Sequence, residues 1–434
     1  MKLNGLTKGI LLLCYISLLG RLSPSVFGQN RIIDVNEGFE QESFLLPYPF
    51  YNESIDFALG LAGGFVGRPQ EQMSLVGTGY GSTNSSWALY LMGWDIQTPF
   101  CDRLFLDPRF SVGRFDEMAV YADGNPEFPT DRAGSNDSHE DNFLEGQGND
   151  YFVNLKFKYL LPMGHGKDKI INEYVVRDGF LVSGQSGADV WNPFESGRTY
   201  FEIEPFYRRQ TVDTDFTTSA VNTNGIKFSV LYDNTDFRLN PSKGSLQKVA
   251  VNRDWGLFDS SDPWTVIEGE FSKYLSLGPA EGIRQQVLAF NCWTANTLTW
   301  ETEGVDENGK VFFRRPPSYA GATLGGIYRM RGYPAGRFND QAAMYYALEY
   351  RVIPDWNPFD MDFWHRFEIE WIQGVLFAEV GRVAEKWTLK ELHSDMKWDM
   401  GIGLRVWAKN LVVRIDTAFS EEDMGIQLMA GHPF

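Results

Sequence analysis

The sequence predicts an all-β fold: a closed 16-stranded antiparallel transmembrane β-barrel. Three observations predict it. Segments of about ten residues alternate between apolar and small or polar side chains, the two-residue period of a strand whose faces meet different surroundings. Aromatic residues make up 15% of the chain and glycine occurs 43 times, while helical periodicity is nearly absent. Beyond residue 28 no run of 18 apolar residues occurs, which excludes crossing a bilayer by helices and leaves crossing by strands.

In chain order, residues 1–28 read as a secretory signal. Lys2 and Lys8 start it, Ile10 to Leu19 is its apolar run, and Val26-Phe27-Gly28 ends it as a cleavage site. Residues 29–42 form a short periplasmic lead-in, and 43–434 form the barrel. Strands are expected at 43–51, 55–66, 73–82, 86–97, 103–114, 151–161, 199–212, 225–235, 245–254, 264–277, 285–301, 342–353, 367–382, 397–408, 410–418 and 424–433. That is sixteen, an even number, as a closed barrel returning to its starting side requires. Phe57, Leu59 and Leu61 alternate with Ala58, Gly60 and Ala62, and Ile402, Leu404 and Val406 with Gly401, Gly403 and Arg405. With the N-terminus in the periplasm, loops after odd strands face outward, including the acidic 115–150 loop and the 302–341 loop. Residues 162–198 are a periplasmic insertion, in which Ile170 to Val182 has the alternative of a strand pair. Pro47 and Pro49 stand two apart in the first strand and remove donors from one of its sides. They mark either a weak seam with the last strand or simply a shorter first strand. The last strand closes on an aromatic terminus, Phe434.

The net charge of −18 gathers in outward loops such as Asp116 to Asp150, a composition that repels nucleic acid. Cys14 leaves with the signal, and Cys101 and Cys292 are too few for a disulfide framework. The histidines at 139, 165, 365, 393 and 432 show no HExxH, and neither a G-x-S-x-G elbow nor a phosphate loop occurs, so no catalysis, cofactor or metal is assigned.

The chemistry concentrates in Gly325-Gly326-Ile327-Tyr328-Arg329-Met330-Arg331-Gly332-Tyr333, where a permanent cation lies among glycines that permit close backbone approach. Its natural partner is the lone carboxylate of Phe377-Ala378-Glu379-Val380-Gly381. Strand parity turns Phe377, Glu379 and Gly381 inward together. A reciprocal exchange, Arg331→Glu with Glu379→Arg, is expected to restore part of what either change removes. Glu349, Arg351, Glu268, Glu270, Arg405, Arg414 and Asp416 are further inward-facing ions. These motifs resemble the signature of the BamA/TamA-type outer-membrane assembly barrels, the bacterial surface antigen family, in a short form lacking the periplasmic POTRA modules. Glu379 stands where that family usually has aspartate, and Met330 where valine is common. The stretch Tyr232-Asp233-Asn234 to Asn240-Pro241-Ser242-Lys243-Gly244 is similar to an outer turn of the family between its eighth and ninth strands.

The resemblance implies that Arg331, Gly332 and Tyr333 fold into the barrel as a lumen latch against Glu379, Gly381 and Phe377. It also implies that Phe434 serves as the terminal assembly signal, and that the Pro47 and Pro49 edge opens laterally. The implied work is assembly, insertion or translocation of proteins at the bacterial outer membrane. The implied partners are its lipid bilayer and client outer-membrane proteins or accessory subunits. A passive channel and an accessory subunit of a larger complex remain the alternatives.

Overall fold

The computed structural model describes residues 30–36, 38–39, 41–52, 55–215, 217–301, 304–305, 311–312, 314–358, 369–408 and 411–434. The expected signal peptide lies outside the described residues. One large antiparallel sheet dominates, and the only α-helix among those residues is the single turn Leu389–Leu392. Each strand of the sheet pairs with the next in the chain. The order runs through Glu42–Asn52, Asp56–Val66, Ser74–Ser82, Trp87–Trp94, Cys101–Val120, Leu144–Leu160, Arg198–Asp213 and Thr218–Asp233. It continues through Gly244–Asp254, Trp264–Ser276, Ile283–Thr297, Ala342–Pro354, Ile369–Ala384, Lys397–Ala408, Leu411–Ser420 and Met424–Ala430. The sheet curls until its ends share a core: Leu428 packs against Tyr48 and Tyr80, and Met429 against Met92 and Trp94.

The two faces of this wall are inverted relative to a protein dissolved in water. Leu59, Leu89, Val249, Leu376, Ile402 and Leu404 are exposed on the outside, while Glu349, Arg351, Glu379, Arg405, Arg414 and Asp416 are fully buried inside. An apolar exterior around an ionic interior is matched to hydrocarbon. Along Ile369–Ala384 the alternation is plain: Leu376 and Val380 face out, and Phe377 and Glu379 face in.

Three connections differ from expectation. The strands expected at 103–114 and 151–161 extend to Cys101–Val120 and Leu144–Leu160, with a register shift between Phe115 and Met118, so the acidic loop shrinks to 121–143. The extension carries Asp116 and Glu117 side by side and then Met118, Ala119 and Val120 in a run, so it lacks the alternation that betrays a strand in sequence. Within the insertion, Asn172–Arg177 and Phe180–Ser183 form a hairpin separate from the wall, and the lead-in adds Asn30–Asp34 to it as a parallel strand. Their Ile32, Tyr174, Val176, Phe180 and Leu181 pack on Phe237, Trp371 and Trp407 at the barrel end where the wall's first strand starts and its last strand finishes. The turn at 234–243, expected outside, lies at this same end, where the Asp236 carbonyl accepts from the Ser186 amide at 3.0 Å. It follows an even-numbered strand, and parity returns such strands to the starting side.

Candidate functional site: an arginine cluster in the barrel interior

The loop between Ile283–Thr297 and Ala342–Pro354 enters the barrel. Gly325 and Gly326 have φ of +101° and +109°, and Met330 sits at +56°. A Cβ on Gly325 would lie 2.2 Å from the Pro334 carbonyl oxygen, so this reversal is closed to any side chain. The Tyr333 amide donates to Met330 O at 3.0 Å and the Gly326 amide to Tyr333 O at 3.0 Å, which cinches the segment and aims Arg331 at the wall.

Arg331 and Glu379 meet, both fully buried. The Arg331 amide donates to Glu379 Oε2 at 2.7 Å and its Nε to Oε1 at 3.1 Å. The guanidinium also reaches Asp416 Oδ2 at 2.6 Å and Glu349 Oε1 at 2.9 Å, and it lies 3.5 Å from the Phe377 ring centroid. Burial disfavours its charge, but Glu379, Asp416 and Glu349 outweigh that cost and hold it well above the ordinary arginine value. Beside it the Gly332 amide donates to Asp399 Oδ2 at 3.1 Å, the Tyr333 hydroxyl to Trp398 O at 3.1 Å, and the Tyr345 hydroxyl to Glu379. Glycines clear the space. A Cβ on Gly381 would press on Leu324 and Met330, and one on Gly332 or Gly425 would strike Asp399 or the Arg331 carbonyl oxygen.

Behind this pair Glu349 bridges Arg351 at 2.8 Å and Arg405 at 2.9 Å, and Arg414 meets Asp416 at 2.6 Å. Four arginines thus face Glu349, Glu379 and Asp416, with the Asp399 carboxyl beside Glu379. Sequence parity finds most of these ions but not that three carboxylates converge on Arg331. Asp399 was legible as the continuation of the Gly401, Gly403 and Arg405 face, and was missed. Glu268 and Glu270 lie elsewhere: Glu268 pairs with Lys227 at 2.8 Å and Glu270 faces Arg329 at 3.9 Å, beside internal cavities of about 260 and 390 Å³.

A second buried arginine, absent from the sequence reading, ties the loop to the outer rim. Arg337 makes a two-point contact with Glu422 at 2.6 and 2.9 Å and donates to Ser138 Oγ and O at 2.9 and 2.6 Å. Arg132 joins Asp340 at 2.7 Å. Part of the acidic loop is therefore a packing surface: Ala133, Asn136, Ser138 and Asn142 are buried.

The chain's last residues do not prolong the final strand. That strand ends at Ala430, Gly431 turns at φ +80°, and Phe434 is buried in the interior beside Tyr274, Trp293 and Met330. His432 accepts or donates at 2.6 Å with Arg405 Nη1, and the donor there is the guanidinium, so Nδ1 accepts. Pro47 and Pro49 are exposed on the first wall strand. The Thr83 amide donates to Phe57 O at 2.9 Å, so Phe57, Leu59 and Leu61 aim their backbone groups at the following strand. The Tyr48↔Gly60 register then turns the backbone of even-numbered residues toward that hairpin partner and leaves Pro47 and Pro49 aimed the other way.

The search of curated proteins gives no match. Among solved structures, BamA from Haemophilus ducreyi lacking POTRA domains 1–3 is similar over 91% of this chain and 71% of that one, at 12% identity and TM-score 0.49. CdiB from Acinetobacter baumannii covers 91% of this chain at 9% identity and TM-score 0.49, and CdiB from Escherichia coli covers 90% at 10% and 0.52. The chain spans 61% of the length of each CdiB chain. The Omp85 superfamily domain matches residues 167–434, more than half of the sequence and including every residue of the arginine cluster. The chain belongs to the Omp85 superfamily.

Proposed function

We propose that this chain is a closed sixteen-stranded barrel of the bacterial outer membrane that assists insertion, folding or translocation of other proteins, with the Arg331 loop as its internal latch. The count of sixteen takes Trp87–Trp94 and Ile96–Thr98 as one strand interrupted at Asp95. The observation that carries the reading is the buried convergence of Glu379, Asp416 and Glu349 on Arg331. A water-filled pore has no need of a loop fixed across its interior by ions that are costly to desolvate. The same filling, with Phe434 and His432 buried in it, weighs against a passive channel.

The exit for a client is the seam between the first and last strands. The Gly431 amide donates to Val412 O at 2.7 Å, which leaves Met424, Ile426 and Leu428 aimed away from their hairpin partner. Opposite them the first strand offers Pro47 and Pro49, neither with a donor, so this junction forgoes ladder hydrogen bonds that each contribute roughly 0.5–1.5 kcal/mol. No nucleotide, metal or other cofactor takes part. The test is folding of a small client barrel into vesicles containing this protein, alongside planar-bilayer conductance. Faster client folding with low conductance is expected. Steady conductance with unchanged folding would select the channel, and neither effect would select an accessory role.

A further inference from the structure

The loop joining Gly244–Asp254 to Trp264–Ser276, at the end of the barrel opposite the 234–243 turn, turns outward over the wall instead of across the mouth. The buried Asp254 carboxylate organises it: Oδ1 accepts from the Gly256 amide at 2.8 Å, and Oδ2 from Ser260 Oγ at 2.6 Å, Thr223 Oγ1 at 2.7 Å and the Asn224 amide at 2.9 Å. What then holds the loop lies on the exterior. Asn224 Nδ2 donates to Leu257 O at 3.0 Å, while Asp259 Oδ2 accepts from Asn222 Nδ2 at 3.3 Å and from the Tyr207 hydroxyl at 3.0 Å. Asn222 and Asn224 share strand parity with the exposed Val230, and the intervening Thr223 is buried inside. Tyr207 shares parity with the exposed Phe201 and Ile203. The loop therefore reaches back across two neighbouring strands on their outer face, level with the Tyr207↔Asn224 pair.

Clamped there, it presents Trp255, Leu257 and Phe258, exposed by 44%, 56% and 96%. Phe258 stands at φ +58°, a conformation a bulky side chain adopts only when its surroundings enforce it. A rigid turn that holds three large apolar groups in water gains nothing, whereas hydrocarbon rewards their exposure. The wall beneath names the occupant. Trp255 follows Val249, Val251 and Arg253 on the outward parity, and two strands away the column passes from Phe201 and Ile203 through Tyr207 to the exposed Arg209. Apolar, then amphipathic, then cationic is the sequence of side chains met on leaving a bilayer core for its headgroups.

We infer that Trp255, Leu257 and Phe258 form a foot embedded in the outer-leaflet interface of the bilayer, an inference that rests on the membrane location proposed above. The loop leaves the ninth strand and enters the tenth, with eight strands on one side and seven on the other before a sixteen-stranded wall returns to its first strand, so the foot fixes the barrel's depth on the side facing away from the seam. The test places a nitroxide at Phe258→Cys in a Cys101→Ser, Cys292→Ser background in phospholipid vesicles. It reads collisional relaxation by oxygen, which concentrates in lipid, and by a water-soluble nickel chelate. Val249→Cys and Ser85→Cys supply the lipid-facing and aqueous references, and Leu257→Cys repeats the measurement should the first variant misfold. Oxygen accessibility at Phe258 and Leu257 approaching that at Val249, with several-fold less nickel accessibility than at Ser85, is expected. Labels that match Ser85, or that are shielded from both reagents by protein, overturn the foot while a lipid-facing Val249 leaves the barrel standing. A Val249 label open to nickel overturns the membrane location and the foot with it.

Discussion

Replacing Arg331 by methionine isolates what the buried cation contributes. In the protein it touches three carboxylates, yet their dependence on it is unequal. Asp416 retains Arg414 at 2.6 Å, and Glu349 retains Arg351 and Arg405 at 2.8 and 2.9 Å. Glu379 has no other cation in ion-pair contact among the described residues, and it keeps the hydrogen bonds from the Arg331 amide and Tyr345 and a side-chain hydrogen bond with Asp399. The cost of Arg331→Met is thus that of one orphaned buried charge, about 3–5 kcal/mol, and not three times that. Glu379→Gln leaves Arg331 with Asp416 and Glu349, and loses hydrogen bonds to a charged group worth roughly 1.5–3 kcal/mol. The double variant has no orphaned carboxylate at 379, so its loss falls short of the sum of the singles by as much as about 3 kcal/mol. Urea unfolding in lipid vesicles, followed by tryptophan fluorescence and by heat-modifiable migration on gels, measures all three. A loss below about 1 kcal/mol for Arg331→Met, or strictly additive losses, would falsify the latch energetics. The reversed pair Arg331→Glu with Glu379→Arg, expected from sequence to restore part of the stability, is expected from this geometry not to restore it. A carboxylate at 331 would face Asp416 and Glu349 as well.

Four further outcomes are expected. Gly425→Ala pushes a methyl to 2.4 Å from the Arg331 carbonyl oxygen and loosens the latch, with a loss of about 1–3 kcal/mol in the same unfolding assay. Arg337→Ala severs the loop from Glu422 and Ser138, and limited proteolysis should then cut within 121–143 while the wall stays intact. Pro47→Ala with Pro49→Ala supplies two donors toward the last strand; client folding slows if the seam opens, and unchanged rates remove the seam from the mechanism. Burial, helped by Arg351 and Arg405, holds the His432 imidazole well below its ordinary value. The unfolded chain takes up a proton that the folded barrel refuses, so stability is intact above pH about 6.5 and falls as the pH drops below it. Unfolding midpoints at pH 7, 6 and 5 should decline in the parent and flatten in His432→Gln.

The wall was legible because its physics is local. A strand with hydrocarbon on one side and a polar interior on the other must alternate at every second residue, and Phe57 to Ala62 and Ile402 to Val406 record that rule without help from distant residues. The Arg331 and Glu379 encounter was legible for a related reason, since an ion of each sign stood in an apolar or glycine-rich setting that water would not explain. The extended hairpin Cys101–Val120 with Leu144–Leu160 was not, because in water neither face of a strand is constrained. Nor was the convergence of Asp416, Glu349 and Asp399 near one arginine, the second anchor at Arg337, or the inward turn of Phe434, for each joins residues that only the curvature of the sheet brings together. Alternation told which side of the wall a side chain occupies; which side chains share the interior was decided by closure of the chain through space, and a one-dimensional pattern carries no record of that distance.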